Sequence, residues 1–123
     1  MELRGFRDLI VFQKAYKLAL DICKTSACFP KEEKYSLTDQ INRSSRSIPA
    51  NIAESWAKRL YPKSFVNKIT DALGEELETE VWLDMSKDLH FIDSETHNQL
   101  ISKYDEVRKM LISMLNSPDK FCK

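Results

Sequence analysis

Catalysis near neutral pH calls for His, Cys, Ser or paired carboxylates in recognisable groupings, and this chain offers few. Its two histidines, His90 and His97, have no partners at metal-ligand spacing, so no zinc site is expected. A di-iron site in a helical bundle needs carboxylates from several helices together with Glu-x-x-His pairs. Here Lys87 stands three residues before His90 and Ser94 three before His97, while the acidic residues crowd on one stretch. Serine and cysteine nucleophiles are present, but neither histidine is placed to activate them. Two glycines cannot build a phosphate-cradling loop, and no P-loop occurs. The expectation is a chain that is not an enzyme and carries no cofactor.

Charge is the next chemistry to place. Nineteen basic and nineteen acidic residues cancel, so net charge does not imply wholesale binding to nucleic acid or anionic lipid. The balance conceals a segregation. From Asn42 to Lys63 the charged residues are Arg43, Arg46, Lys58, Arg59 and Lys63 against Glu54 alone. From Asp71 to Glu95 nine carboxylates, among them Glu75 and Glu78, face Lys87 alone. Three readings follow: neighbouring helices that neutralise each other, basic and acidic faces that meet between subunits, or a basic stretch that contacts phosphates. Trp56 and Tyr61 lie among the basic residues, where bases could stack on them, although Trp56 is close to the apolar side and suits packing.

These residues must be carried by helices. The chain of 123 residues suits one domain, and its 42% hydrophobic content can form a core. Only two Gly and four Pro favour few, long elements. The first helix is predicted from Asp8, as its cap, to about Cys28. Leu9, Phe12, Tyr16, Ala19, Leu20, Cys23 and Ala27 share one face, and Val11, Ala15, Leu18 and Ile22 form a second strip beside it. That combined stripe is wider than a small bundle needs, so either the helix is deeply embedded or the extra strip, with Val11, Leu18 and Ile22, meets another subunit.

A second helix opens after Phe29-Pro30-Lys31, with Ser36 and Asp39 resembling a capping box. Leu37, Ile41, Ser44, Ile48, Ile52, Ser55 and Trp56 mark its inner side. Pro49 within it predicts a kink near Ser45 to Ser47, or a break into two shorter helices. Gln40, Arg43, Ser47, Asn51, Glu54 and Lys58 line a polar stripe beside the seam. That stripe is either an internal hydrogen-bond network or a contact for a ligand or subunit. The third helix follows Tyr61-Pro62 and runs to about Leu89, with Phe65, Ile69, Ala72, Leu73 and Leu83 inward. Trp82 falls off its main seam near Glu75 and Glu78, as an interface anchor would. The last helix is capped by Asp93 or Ser94, uses Leu100, Ile101, Tyr104, Val107, Leu111 and Leu115, and ends at Ser117-Pro118. The fold class is therefore all-α: an antiparallel up-down four-helix bundle in one domain over residues 1–123.

The three cysteines, Cys23, Cys28 and Cys122, are odd in number and lack a C-x-x-C pair, which suggests reduced thiols in a cytosol. Met1 to Asp8 carries both charge signs, and Lys14 and Lys17 interrupt the one apolar run that could cross a membrane, so neither a signal peptide nor a membrane span is expected.

The stretch Phe29-Pro30, Glu33, Tyr35-Ser36-Leu37, Gln40-Ile41, Arg43 and Ser47-Ile48-Pro49-Ala50-Asn51-Ile52-Ala53-Glu54 resembles the signature of a bacterial four-helix-bundle family. Its founding members are encoded in intervening sequences of 23S ribosomal RNA genes, and a related branch is the accessory protein of diversity-generating retroelements. Ala72-Leu73-Gly74 with Glu78, Glu80 and Leu83 resembles the family's second motif, and Asp88-Leu89 also fits. Ser55 stands where the family has glycine, Ser44, Ser45 and Arg46 replace apolar or small residues, and Glu75 replaces a common serine. The resemblance implies a homopentameric ring, and in the retroelement branch a basic surface for nucleic acid or a protein partner.

Overall fold

The computed structural model describes residues 3–123, and among them it contains helices and no strand. Four helices make up the domain: α1 (Ile10–Ser26), α2 (Leu37–Trp56), α3 (Pro62–Asp88) and α4 (Ser94–Asn116). Short 3-10 turns precede α1 and α2 and follow α4. Each helix packs on the next and α4 packs back on α1, whereas α1 and α3 do not touch and lie diagonally. This is the expected four-helix bundle, and the joints of a few residues explain why successive helices are neighbours.

The start and stop signals divide into those that act as expected and those that are displaced. Asp93 caps α4 by accepting the Thr96 amide at 2.7 Å, and Pro62 fills the first turn of α3, where its missing N–H costs nothing. Asp8 does not cap α1. Leu9 holds that place, and Asp8 accepts the Arg4 amide at 2.8 Å one turn upstream. Nor does Ser36 cap α2 with Asp39. Glu33, from the preceding turn, accepts both the Ser36 hydroxyl at 2.6 Å and the Leu37 amide at 3.3 Å, so the cap comes from upstream. At the end of α3, His90 takes the left-handed conformation (φ 64°) that glycine usually supplies. The amides of Phe91 and His90 then close back on the carbonyls of Ser86 and Lys87.

Pro49 lies within a single element, so the chain does not break into two shorter helices there. Ile41, Ile48 and Ile52 of α2 are essentially inaccessible, as are Phe65, Ile69 and Leu83 of α3 and Tyr104, Val107 and Leu111 of α4. Each such aliphatic side chain contributes about 1.5–3 kcal/mol by leaving water. Small polar residues share this core. Ser44, Ser45, Ser55, Thr79 and Ser86 are all buried. The serine hydroxyls donate to carbonyls of their own helix, while the single Thr79 proton is placed to serve either the Glu75 carbonyl or Ser44 across the α2–α3 seam, each at 2.8 Å.

Candidate interaction surfaces

On α1 the structure reverses the assignment of the two apolar strips. Val11 and Leu18 are 3% exposed and Ile22 1%, so these residues fill the bundle's own core and cannot meet another subunit. Of the other strip, Leu9 and Ala19 are buried, whereas Tyr16 is 53% exposed and Leu20 49%, with Phe12 half-buried between the Phe6 and Tyr16 rings. Both strips had similar hydrophobicity, and helical periodicity cannot say which one points at α2 and α4. Outside, Phe12, Tyr16, Ala19, Leu20 and Cys23 form one wall of an open groove of about 350 Å³. Pro49, Ala50 and Ala53 of α2 form the other, with Arg46 as its one charged residue. The groove is shallow and apolar because alanines at three of its positions remove the side chains that would fill it.

The basic residues expected to act together fall into two groups. Arg43 and Arg46 lie mid-helix on α2. Arg43 faces Asp39 one turn away at 3.6 Å, and the Arg46 guanidinium lies 3.9 Å from the Cys23 sulfur. Lys58, Arg59 and Lys63 gather at the α2–α3 joint and the first turn of α3. Ten residues, roughly 15 Å of helix, separate Arg46 from the end of α2. Arg59 is not free: its guanidinium stacks 3.5 Å from the centre of the Trp56 ring and bonds the Trp56 carbonyl. That occupies the face on which a base would stack. Lys58, Lys63 and Tyr61 stay exposed, and among the described residues neither lysine has an ion-pair partner.

The polar stripe of α2 is not a network between helices. Ser47 donates to the Arg43 carbonyl and Asn51 to the Ser47 carbonyl, both along their own helix. Gln40 is exposed. Only Glu54 crosses to a neighbour, pairing with Lys68 of α3 at 2.7 Å. Besides that pair, Ser44 bonds Thr79 of α3 and Asn42 bonds Ser26 of α1, contacts that the inward position of Ser44 did not by itself disclose.

On α3, Trp82 is not a free anchor. It is half-buried against the core, and it lines a shallow depression with Tyr35, Leu37, Gln40, Met85 and Leu89. The exposed apolar residues are instead Leu77, Val81, Met85 and Leu89, one every fourth position, which places them in a row along the outside of the helix. Glu78 lies beside that row, and Glu75, one turn before Glu78, is half-buried. Burial raises the Glu75 carboxyl above the ordinary range, and the nearby Glu78 and Asp71 charges add to it.

The least expected residue is Glu76. It is 0% exposed, between α3 and α4, and as a carboxylate it would have no donor for either oxygen. Burial and the adjacent Glu80 push its pKa from 4.5 to about 9. As the neutral acid it can donate to Glu80, which in turn accepts from Arg108 at 2.6 Å; Arg108 also engages Asp105. Burial likewise holds the Tyr104 phenol, its hydroxyl unpartnered, above its usual range.

A family model described as 23S rRNA-intervening sequence protein matches residues 7–113. This chain belongs to that family. This 23S rRNA-intervening sequence protein family member is similar to a solved structure from Bacteroides thetaiotaomicron, described as a protein of unknown function from the S23 ribosomal protein family. The two are 32% identical with a TM-score of 0.79, over 86% of this chain and 98% of that one. No curated protein matches this chain. In this family member no helix is long and apolar enough to cross a membrane, and no group of three or more His, Cys, Asp or Glu could hold a metal ion, among the described residues.

Proposed function

We propose that this chain is a non-enzymatic scaffold that works as a homo-oligomer, with five copies as the sequence resemblance implies. The observation that carries the proposal is the exposed apolar row on α1. Phe12, Tyr16 and Leu20 lie side by side above an apolar groove, and a contiguous patch of that kind on a soluble domain marks an interaction surface. The groove offers Arg46 as its single charged group, so it suits packing better than acid–base chemistry. Static light scattering on the purified protein tests this directly. A mass several times the 14.4 kDa of one chain is expected, and a strict monomer at tens of micromolar would defeat the scaffold.

A second reading is favoured by the α2–α3 corner, where Lys58, Lys63 and Tyr61 project without described partners. An assembly would repeat this corner once per copy and so present several cations to a structured RNA. A gel-shift with a folded RNA should show binding at low salt that weakens as salt rises, since phosphate contacts release counterions. The Lys58→Glu, Lys63→Glu variant should bind about tenfold more weakly or worse. Absence of a shift at low salt would leave the scaffold with protein partners alone.

A further inference from the structure

The seam between α3 and α4 is closed over a group of charges. Glu76 is 0% exposed there, with no donor for either oxygen among the described residues. Around it stand Glu80 on its own helix and Tyr104, Asp105 and Arg108 on α4. Lys109 of α4 pairs with Asp105 from the solvent side at 2.9 Å. α1 adds Asp21, whose charge acts on the Tyr104 phenol. α2 adds no charge: its polar group on this side is the Ser44 hydroxyl at Thr79, one turn along from Glu76. Inside the seam three carboxyls, Glu76, Glu80 and Asp105, therefore share the Arg108 guanidinium. Such a group is satisfied only while one carboxyl keeps its proton. Glu76 is the one that keeps it, because water reaches Glu80 and Asp105 but not Glu76.

α4 is also the helix least firmly held on its other side. Among the described residues one exposed ion pair, Lys14 with Glu106 at 3.0 Å, ties it to α1. Two open polar clefts of about 220 and 310 Å³ run along that seam. α3, by contrast, is joined to α2 by the buried Ser44–Thr79 contact and the Glu54–Lys68 pair as well as by the core. The easiest partial opening of the bundle lifts α4 away while α1, α2 and α3 stay together. That movement gives Glu76 to water. In the closed bundle Glu76 holds its proton up to about 9, whereas in water it ionises near 4.5. Opening thus releases a proton throughout the range between, and each pH unit favours the open form by about tenfold.

We propose that Glu76, with Glu80 and Arg108, is a proton-operated latch: α4 stays closed on α3 while Glu76 is protonated and detaches more often as pH rises. The device needs no ligand, and its working range takes in neutrality. Hydrogen–deuterium exchange read by mass spectrometry at pH 6, 7 and 8 tests it, on the unmodified protein and on Glu76→Gln, whose amide has no proton to release. Comparing the two at each pH cancels the acceleration of the exchange chemistry itself. At pH 8 the amides of residues 104–111 in α4 should exchange at least about tenfold faster than those at the centres of α1 and α2, as a partial opening requires. Their rate relative to the glutamine variant should rise about tenfold per pH unit. Equal protection of α4 and the other helices in the unmodified protein would overturn the latch, since the bundle would then open only as a whole. That comparison stands whatever the variant does. A ratio to the variant that stays flat from pH 6 to pH 8 would also overturn it, because α4 would then open without giving Glu76 to water.

Discussion

The variant Glu76→Gln is expected to be more stable than the unmodified protein at pH 8, with an advantage that grows between pH 5 and pH 9. In the unfolded chain Glu76 ionises near 4.5, whereas the folded protein keeps its proton up to about 9. Between those values the unfolded state binds fewer protons than the folded one, so stability falls as pH rises. Below about 4.5 both states hold the proton and the full contribution is present; above about 9 both have lost it and the loss is complete. The steepest slope for one such group is about 1.4 kcal/mol per pH unit. Glutamine has the shape of the neutral acid and can donate to Glu80 in the same way, but it cannot ionise. Urea denaturation at pH 5, 7 and 9 measures the difference. Parallel pH profiles for the two proteins would show that Glu76 does not titrate in this way. The groups around it are Glu80 on its own helix and Tyr104, Asp105 and Arg108 on α4, of which Arg108 is the cation that draws the pKa down.

The second large effect is expected from Arg108→Met. Arg108 is about a quarter exposed, and it holds Glu80 of α3 to α4 at 2.6 Å while bracing Asp105 on its own helix. Methionine would keep much of the volume but leave Glu80 beside Glu76 without its cation from α4. Breaking a buried pair costs about 3–5 kcal/mol, and the partial exposure here reduces that to about 2 kcal/mol. For a domain of this size an apparent Tm lowered by roughly 10 °C follows. At pH 7 the loss should be much the same in the background of Glu76→Gln, because Glu76 is already uncharged below about 9 and glutamine matches its neutral form. A markedly smaller loss there would mean that Glu76 carries charge beside Arg108.

Much of the fold was legible along the chain because helix formation is dominated by short-range periodicity. Leu37, Ile41, Ser44, Ile48, Ile52 and Ser55 were assigned inward by spacing, and all are buried. The same spacing in α3 runs Phe65, Ile69, Ala72, Glu76, Thr79, Leu83, Ser86, alternating steps of four and three. Glu76 and Thr79 therefore stand on the seam by position. They were overlooked because their residue types count as surface in a pattern built on hydrophobicity, and Glu76 was submerged in an acidic run. The caps of α1 and α2 were misplaced for a related reason: Glu33 reaches the α2 terminus only because the preceding turn folds back on it.

By itself the sequence determined the four helices, their joints, a cap for α4 at Asp93 or Ser94, and the segregation of base between Asn42 and Lys63 from acid between Asp71 and Glu95. All of these depend on residues within a few positions of one another. Only the tertiary structure decided which of two equally apolar strips of α1 faces inward, that Trp56 is stacked by Arg59, that the five basic residues form two groups, and that the stripe Gln40, Ser47 and Asn51 binds its own helix. Those outcomes turn on the rotation of each helix about its axis. Rotation is set by packing against both neighbouring helices at once, and periodicity carries no record of where those partners stand.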